Sequence, residues 1–448
     1  MSDLFKKYDV PAPRYTSYPT VPYWSESPSP DEWIASLREV FGKSDASWSL
    51  YLHIPYCESL CTFCGCNTVI TRDHGVESPY VDKILVEWAR YLEKVPAIRV
   101  RGLRQLHLGG GTPTFLAPSE LERLLTPILS QVRRDPSDFE GSVEIDPRRT
   151  TRDHLKVLHK LGFRRVSLGV QDFDPEVQRV VNRIQPEEIT RSITEIAREV
   201  GFESVNFDLI YGLPKQNAEK FLKTAEITVK LRPDRIALYS FALVPWIKKV
   251  QRIFKDEDVP GGPEKRGIYE VARKILLDGG YVEIGMDHFA LPTDSLARSI
   301  AKGTLHRNFM GYTDHRTDAL LGIGLSAISE TPTCFHQNEK VLPVYERLLG
   351  EGKIPSLRGH KLTVEDRAHR EQILGLMTRG LTEFRDEGER ADVLQFLEEP
   401  IRDGLARVEG NTLHITETGK PFLRNICMAF DRRLREKAPT TRTFSQAV

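Results

Sequence analysis

The 448-residue chain is 40% hydrophobic and carries 63 Lys+Arg against 63 Asp+Glu, which is ordinary globular material with room for one large domain and a smaller one. Zero net charge excludes a polycation that holds nucleic acid or anionic membrane without specificity, leaving only local basic pockets. No apolar run approaches the roughly 18 residues of a membrane span, and Met1-Ser-Asp-Leu-Phe-Lys-Lys opens no signal-type apolar core, so a cytoplasmic chain with reduced thiols is expected.

Residues 1–47 form an expected N-terminal arm. Pro11, Pro13, Pro19 and Pro22 block regular helix and central strand there, and Tyr15, Tyr18, Tyr23 and Trp24 read as aromatics packed on a domain surface. A second region, 48–340, alternates strands with helices. Ser49–Ile54 is a predicted strand that runs into Cys57-Glu-Ser-Leu-Cys61-Thr-Phe-Cys64-Gly-Cys66. A helix follows over Tyr80–Lys94, where Val81, Ile84, Leu85, Trp88 and Leu92 make one apolar stripe. Leu103–Leu108 is a strand leading to Gly109-Gly-Gly-Thr-Pro-Thr114, and Pro118–Val132 a helix. Then come strand Phe139–Ile145, helix Thr151–Leu161, strand Arg165–Val170 and helices Asp174–Asn182 and Pro186–Val200. Strand Ser204–Ile210, helix Asn217–Lys230 and strand Arg235–Phe241 complete six β units with helical crossovers, which predict a parallel sheet. A helix over Pro263–Leu277 leads into segments without clear period. Region 341–448 turns helical and charged: helices are expected at Val364–Leu381 and Asp392–Leu397, a hairpin wing at Thr412–Thr416, and one closing amphipathic helix at Pro421–Lys437. The wing hints at a DNA-binding winged helix, but no isolated basic helix faces it and net charge is zero, so no nucleic acid is expected.

Four of the six cysteines fall within ten residues, spaced C-x3-C-x2-C-x-C, while Cys334 and Cys427 are solitary. Such crowding in a long cytosolic chain points to metal rather than a disulfide framework. Cys64 and Cys66 are one residue apart, so in an extended segment they face opposite sides, and Cys57, Cys61 and Cys64 more easily share one ion or cluster. Three thiolates on a cubane iron–sulfur cluster leave one iron without a protein ligand. A zinc knuckle is the alternative this stretch leaves open.

Polar and glycine residues collect where the predicted strands end: Gly110, Gly111 and Thr112, Glu144, Gln171 and Asp208. That rim carries the chemistry in βα barrels. Taken singly, each is as readily a tight turn or a strand-end cap.

The cysteine spacing resembles that of radical S-adenosylmethionine (SAM) enzymes. With Gly65-Cys66 following, and with Arg14-Tyr-Thr-Ser-Tyr-Pro-Thr upstream, the chain resembles the oxygen-independent coproporphyrinogen III oxidase family over nearly its whole length. The resemblance implies a partial (β/α)6 TIM-like barrel with an N-terminal arm and a smaller, mainly helical C-terminal domain. It implies one [4Fe–4S] cluster on Cys57, Cys61 and Cys64, with SAM on the fourth iron, and two SAM molecules in all. Tyr51, Phe63, Gly110, Gly111, Thr112, Glu144, Gln171, Arg183, Asp208, Ala242 and Ile328 match the family's SAM-contact positions. Cys66 matches a cysteine linked there to activity rather than to cluster binding.

The implied chemistry is a one-electron cleavage of SAM by the reduced cluster. The resulting deoxyadenosyl radical takes a hydrogen from a substrate propionate, which then loses an electron and carbon dioxide to become a vinyl group. Two rounds convert coproporphyrinogen III to protoporphyrinogen IX. A low-potential donor such as flavodoxin or ferredoxin is implied, with no membrane partner and a monomeric chain. Arg14, Arg307, His288 and His306 are candidates to face the four propionates, and Lys248, Lys249 and Arg252 read as a solvated face. Two alternatives stay open: a haem-binding chaperone of the same superfamily, against which Cys66 and Arg14 argue, and another radical SAM enzyme acting on a tetrapyrrole.

Overall fold

A computed structural model describes residues 2–135, 137–437 and 443–447. The six predicted β units are present as parallel strands: β1 (Ser47–Ile54), β2 (Gly102–Gly110), β3 (Glu140–Ile145), β4 (Phe163–Gln171), β5 (Ser204–Tyr211) and β6 (Arg235–Ser240). They are neighbours in chain order, as short right-handed crossovers require. The crossover helices, among them Glu77–Lys94, Pro118–Ser130 and Glu187–Val200, bury apolar stripes against one face of this sheet.

The sheet is larger than six strands. Beyond β6 lie β7 (Val282–Glu283) and β8 (His288–Ala290), and beyond β1 lie β9 (Ala319–Ile323), β10 (Ile328–Glu330), β11 (Cys334–Asn338) and β12 (Ser356–Lys361). β9 runs parallel to β1, whereas the other five additions pair antiparallel. Glycine hid β9 from the sequence reading: a Cβ on Gly322 would stand 2.4 Å from the Ile328 carbonyl oxygen, so the tight return into β10 demands the residue that weakens a strand signal. Because β12 belongs to the sheet, the expected boundary between 340 and 341 falls inside it.

Strands buried on both faces read as continuous apolar runs. These alternate instead. Leu106 and Leu108, Val143 and Ile145, Val166 and Leu168, and Phe207 and Leu209 are buried under the helices. Gln105, His107, Ser142, Glu144, Ser167, Asn206 and Asp208, at the alternate positions, line a polar bore.

The arm joins two cores. Trp33, Leu37 and Phe41 of helix Pro30–Gly42 sit in the main core, while Phe5, Tyr8, Tyr15 and Tyr18 pack with Leu376, Met377, Phe422 and Phe430 in a second. Buried Arg424 donates to the carbonyls of Pro13 at 3.0 Å and of Ala12. The wing is a three-stranded antiparallel sheet of Leu381–Glu383, Ala406–Glu409 and Thr412–Ile415. The closing segment is not one helix: it breaks into Leu423–Cys427, a 3-10 turn and Arg432–Glu436. Asp431, at φ −87° and ψ 77°, leaves helical geometry, and its carboxylate caps the last piece through the Leu434 N–H.

Candidate active site

β1 and β2 set the cysteine loop at the rim. The Gly111 N–H donates to Ile54 O at 2.7 Å and the Thr112 N–H to Tyr56 O at 2.9 Å, lacing the exit of β2 to the start of the loop. A Cβ on Gly111 would lie 2.6 Å from Pro55 O, and Gly110 combines φ +115° with the His53 ring beneath it. The glycines therefore serve first a close approach of the chain to itself. Farther along, the Thr62 N–H bonds Val181 O at 3.1 Å, Asn182 Nδ2 bonds Leu60 O at 2.8 Å, and the Cys64 N–H closes a turn on Cys61 O at 3.1 Å.

That turn corrects the expectation that Cys66 faces away. The segment bends at Cys66 instead of extending, and all four cysteines line one cavity of about 370 Å³, Cys66 as its exposed member. The neighbouring Cys66 thiol, helped by Lys248 and Arg183, lowers the Cys64 thiol against its burial, and Cys64 in turn raises Cys66. Burial pushes the Cys57 thiol up to about 11 in the metal-free chain. Lys248, expected on a solvated face, reaches the loop and donates to Cys66 O at 2.9 Å. Cys334 and Cys427 are buried elsewhere.

The donor set fits an iron–sulfur cluster. Cys57, Cys61 and Cys64 are free thiols facing one space, and polar donors stand beside their sulfurs: Thr112 Oγ1 is 3.3 Å from Cys57 Sγ, and Arg183 Nη1 is 3.7 Å from Cys61 Sγ. Such donors tune cluster sulfurs.

The same cavity brings together Phe63, Gly110, Gly111, Thr112, Glu144, Gln171, Arg183 and Asp208. Gln171 adopts φ 70° at the end of β4. Glu144 takes His107 Nε2 at 3.4 Å and the Gly110 N–H at 3.3 Å, and these hold it low against its burial. Asp208 accepts from Ser167 at 2.8 Å and Asn206 at 2.9 Å, yet burial and then the Glu144 charge push it up to about 6. Burial works likewise against Asp146, but Arg183 and Arg148 hold it at about 2.

Three expected residues lie outside the cavity lining. Tyr51 stands behind it, stacked on His107 with ring centroids 5.9 Å apart and bonded to His53 Nδ1 at 3.0 Å. Ala242 follows β6, and Ile328 opens β10 against the Trp24–Phe335 cluster. Of the four substrate candidates only His288 lines the cavity. Arg14 pairs with Asp287, while Arg307 and His306 are buried. Sequence reasoning missed His107, Ser142, Ser167, Asn206 and Tyr239, although the period-two polar positions within otherwise apolar strands announced a wet bore.

The radical SAM superfamily model matches residues 51–227. Proteins named oxygen-independent coproporphyrinogen III oxidase match at 39% identity in Pseudomonas aeruginosa (97% of this chain, 96% of that one) and at 40% in Escherichia coli (97% and 96%). The one from Synechocystis is 37% identical over 100% of this chain and 98% of its own. The solved Escherichia coli coproporphyrinogen III oxidase, HemN, described as a radical SAM enzyme, superposes with a TM-score of 0.90 at 38% identity, covering 97% of this chain and 99% of that one. The chain belongs to the oxygen-independent coproporphyrinogen III oxidases of the radical SAM superfamily, oxidoreductases that work with a [4Fe–4S] cluster and S-adenosylmethionine.

Proposed function

We propose that this chain decarboxylates two propionates of coproporphyrinogen III to vinyl groups, giving protoporphyrinogen IX. The observation that carries the reading is one rim cavity that holds the three spaced thiols together with an acidic wall, Glu144 and Asp208, and the guanidinium of Arg183. Relatives alike over nearly the full chain carry the matching name.

In this reading Cys57, Cys61 and Cys64 ligate the cluster. Gly110, Gly111 and Thr112 offer backbone and hydroxyl donors to the amino-acid end of SAM, with Phe63 as the apolar lid beside them. Glu144 and Asp208 accept from ammonium or ribose hydroxyls, and Gln171 and Arg183 donate to a carboxylate. Tyr51 supports the wall by its stack on His107, and Ala242 and Ile328 act from beyond it. A second SAM shares the cavity's outer part. When bound, the cluster and SAM supply a one-electron cleavage that ends in hydrogen-atom abstraction from the substrate. The chain's own residues orient the propionate, exclude water and oxygen, and keep the Cys66 thiol beside the reacting groups. A cytoplasmic monomer fed by flavodoxin or ferredoxin suits this chemistry, with the arm 1–47 and the helical region that follows β12 covering the barrel.

Anaerobically reconstituted protein given SAM, a low-potential reductant and coproporphyrinogen III should release carbon dioxide and form protoporphyrinogen IX. Deoxyadenosine without tetrapyrrole turnover would reject the substrate, and a cleaved macrocycle would move the chain to a different reaction.

A further inference from the structure

Nearly every basic group along the 370 Å³ cavity is already engaged. Arg148 and Arg183 pair with Asp146, Arg149 with Glu58, Arg165 with Glu140 and Arg235 with Asp294, while His107 meets Ser142 and Glu144. His288 differs. Its Nδ1 stands 2.6 Å from Asp287 Oδ1, and among the described residues its Nε2 has no hydrogen-bond partner.

The ring is tightly fixed. Tyr239 meets it edge-on at 5.8 Å between centroids and Tyr312 at 5.3 Å. Tyr312 is itself anchored, its hydroxyl donating to Met377 O at 2.9 Å and accepting from the Met286 N–H at 3.2 Å. Behind the ring lies an excess of positive charge. Arg14 Nη2 donates to Asp287 Oδ2 at 2.5 Å. Arg307, 7% exposed, lies over the Tyr312 face at 4.5 Å, and its Nε and Nη1 have no partner among the described residues. Asp287 is thus occupied by Arg14 and His288, and the buried Arg307 guanidinium has no ion-pair partner among the described residues, a charge that an incoming anion would balance.

Resting on the function proposed above, we propose that His288 takes the carboxylate of the reacting propionate through Nε2. Flanked by Asp287 on one nitrogen and the propionate on the other, the ring carries both protons and donates to each. Asp287 is the positioning residue that fixes the ring's direction through Nδ1.

The test uses reconstituted, cluster-bearing enzyme and two stable probes, coproporphyrin III and its tetramethyl ester, titrated by fluorescence. His288→Ala should weaken the tetra-acid roughly ten- to a hundredfold, leave the ester unchanged, and keep iron content and SAM affinity. His288→Gln should recover part of the loss, and serves alone should the alanine variant hold no cluster. With coproporphyrinogen III the variants should raise KM more than they lower kcat. Unchanged affinity for the acid, or equal loss for acid and ester, overturns the assignment. A parent enzyme that forms no vinyl product overturns the functional reading instead, and is separable because the acid-over-ester comparison needs no turnover.

Discussion

Arg183 ties the cysteine loop to the rim of the sheet: Nη1 lies 3.7 Å from Cys61 Sγ and 3.3 Å from Asp146 Oδ2, while Nη2 donates to Gly169 O at 2.6 Å. One planar fork thereby serves a thiol, a carboxylate and a carbonyl. A lysine keeps the charge but not the fork. Arg183→Lys should retain its iron yet bind SAM about tenfold more weakly, one lost charge-assisted bond, as read by SAM titration of the reconstituted protein. Arg183→Met leaves buried Asp146 with Arg148 alone and should cost about 3 kcal/mol of stability in denaturant unfolding. An Arg183→Met variant as stable as the parent would show that Arg148 suffices.

The four clustered cysteines should divide three to one. Ser in place of Cys57, Cys61 or Cys64 should each abolish stable cluster assembly, measured as iron and sulfide per chain after anaerobic reconstitution. Cys66→Ser should keep the full iron content and SAM affinity while losing tetrapyrrole turnover. Because Cys66 lines the same cavity as the other three, an equal loss of iron in all four variants would instead make Cys66 a ligand.

Gly111→Ala tests whether the glycine run is there for the chain or for a ligand. The added Cβ meets backbone, 2.6 Å from Pro55 O and 2.8 Å from Tyr56 O, where no flexible side chain can yield. The strand exit and the loop must part, at about 1–3 kcal/mol by analogy with overpacked cores. Thermal melting of the cluster-free protein should fall accordingly. A melt identical to the parent's would assign Gly111 to the ligand alone.

These residues also show what sequence could and could not reveal. The six parallel strands were legible because each pairs a run of alternating apolar positions with a helix-period partner, and the thiols because their spacing is rare. The antiparallel extensions were not: β7, β8 and β10 are two or three residues long, too short to carry a period. Residue chemistry at strand ends was legible, but facing was not. Cys66 joins the other thiols at the cavity because a bend replaces the extended run assumed for it, and Lys248 reaches its carbonyl from 182 residues away. Arg14 and Asp287 meet across 273 residues, a contact that depends on how the arm wraps the barrel.

His336 gives the fold an acid limit that owes nothing to the active site. It lies fully buried on β11, its ring stacked on Trp33 at 5.0 Å and 6°, with Nε2 2.7 Å from Ser356 Oγ. Burial alone lowers its pKa to about 3. The unfolded chain protonates this histidine below about pH 6.5 whereas the native chain does not, so the unfolded state binds the extra proton and stability falls as pH drops from about 6.5 towards 3. Between about pH 7.5 and pH 5 this one ring should remove about 2 kcal/mol. His336→Gln cannot titrate but keeps an amide for Ser356, so its urea-unfolding free energy should decline less over that interval, by about the same 2 kcal/mol. Parallel curves for parent and variant would mean that the imidazole is solvated or charged in the folded chain, and the stack on Trp33 would then have to open.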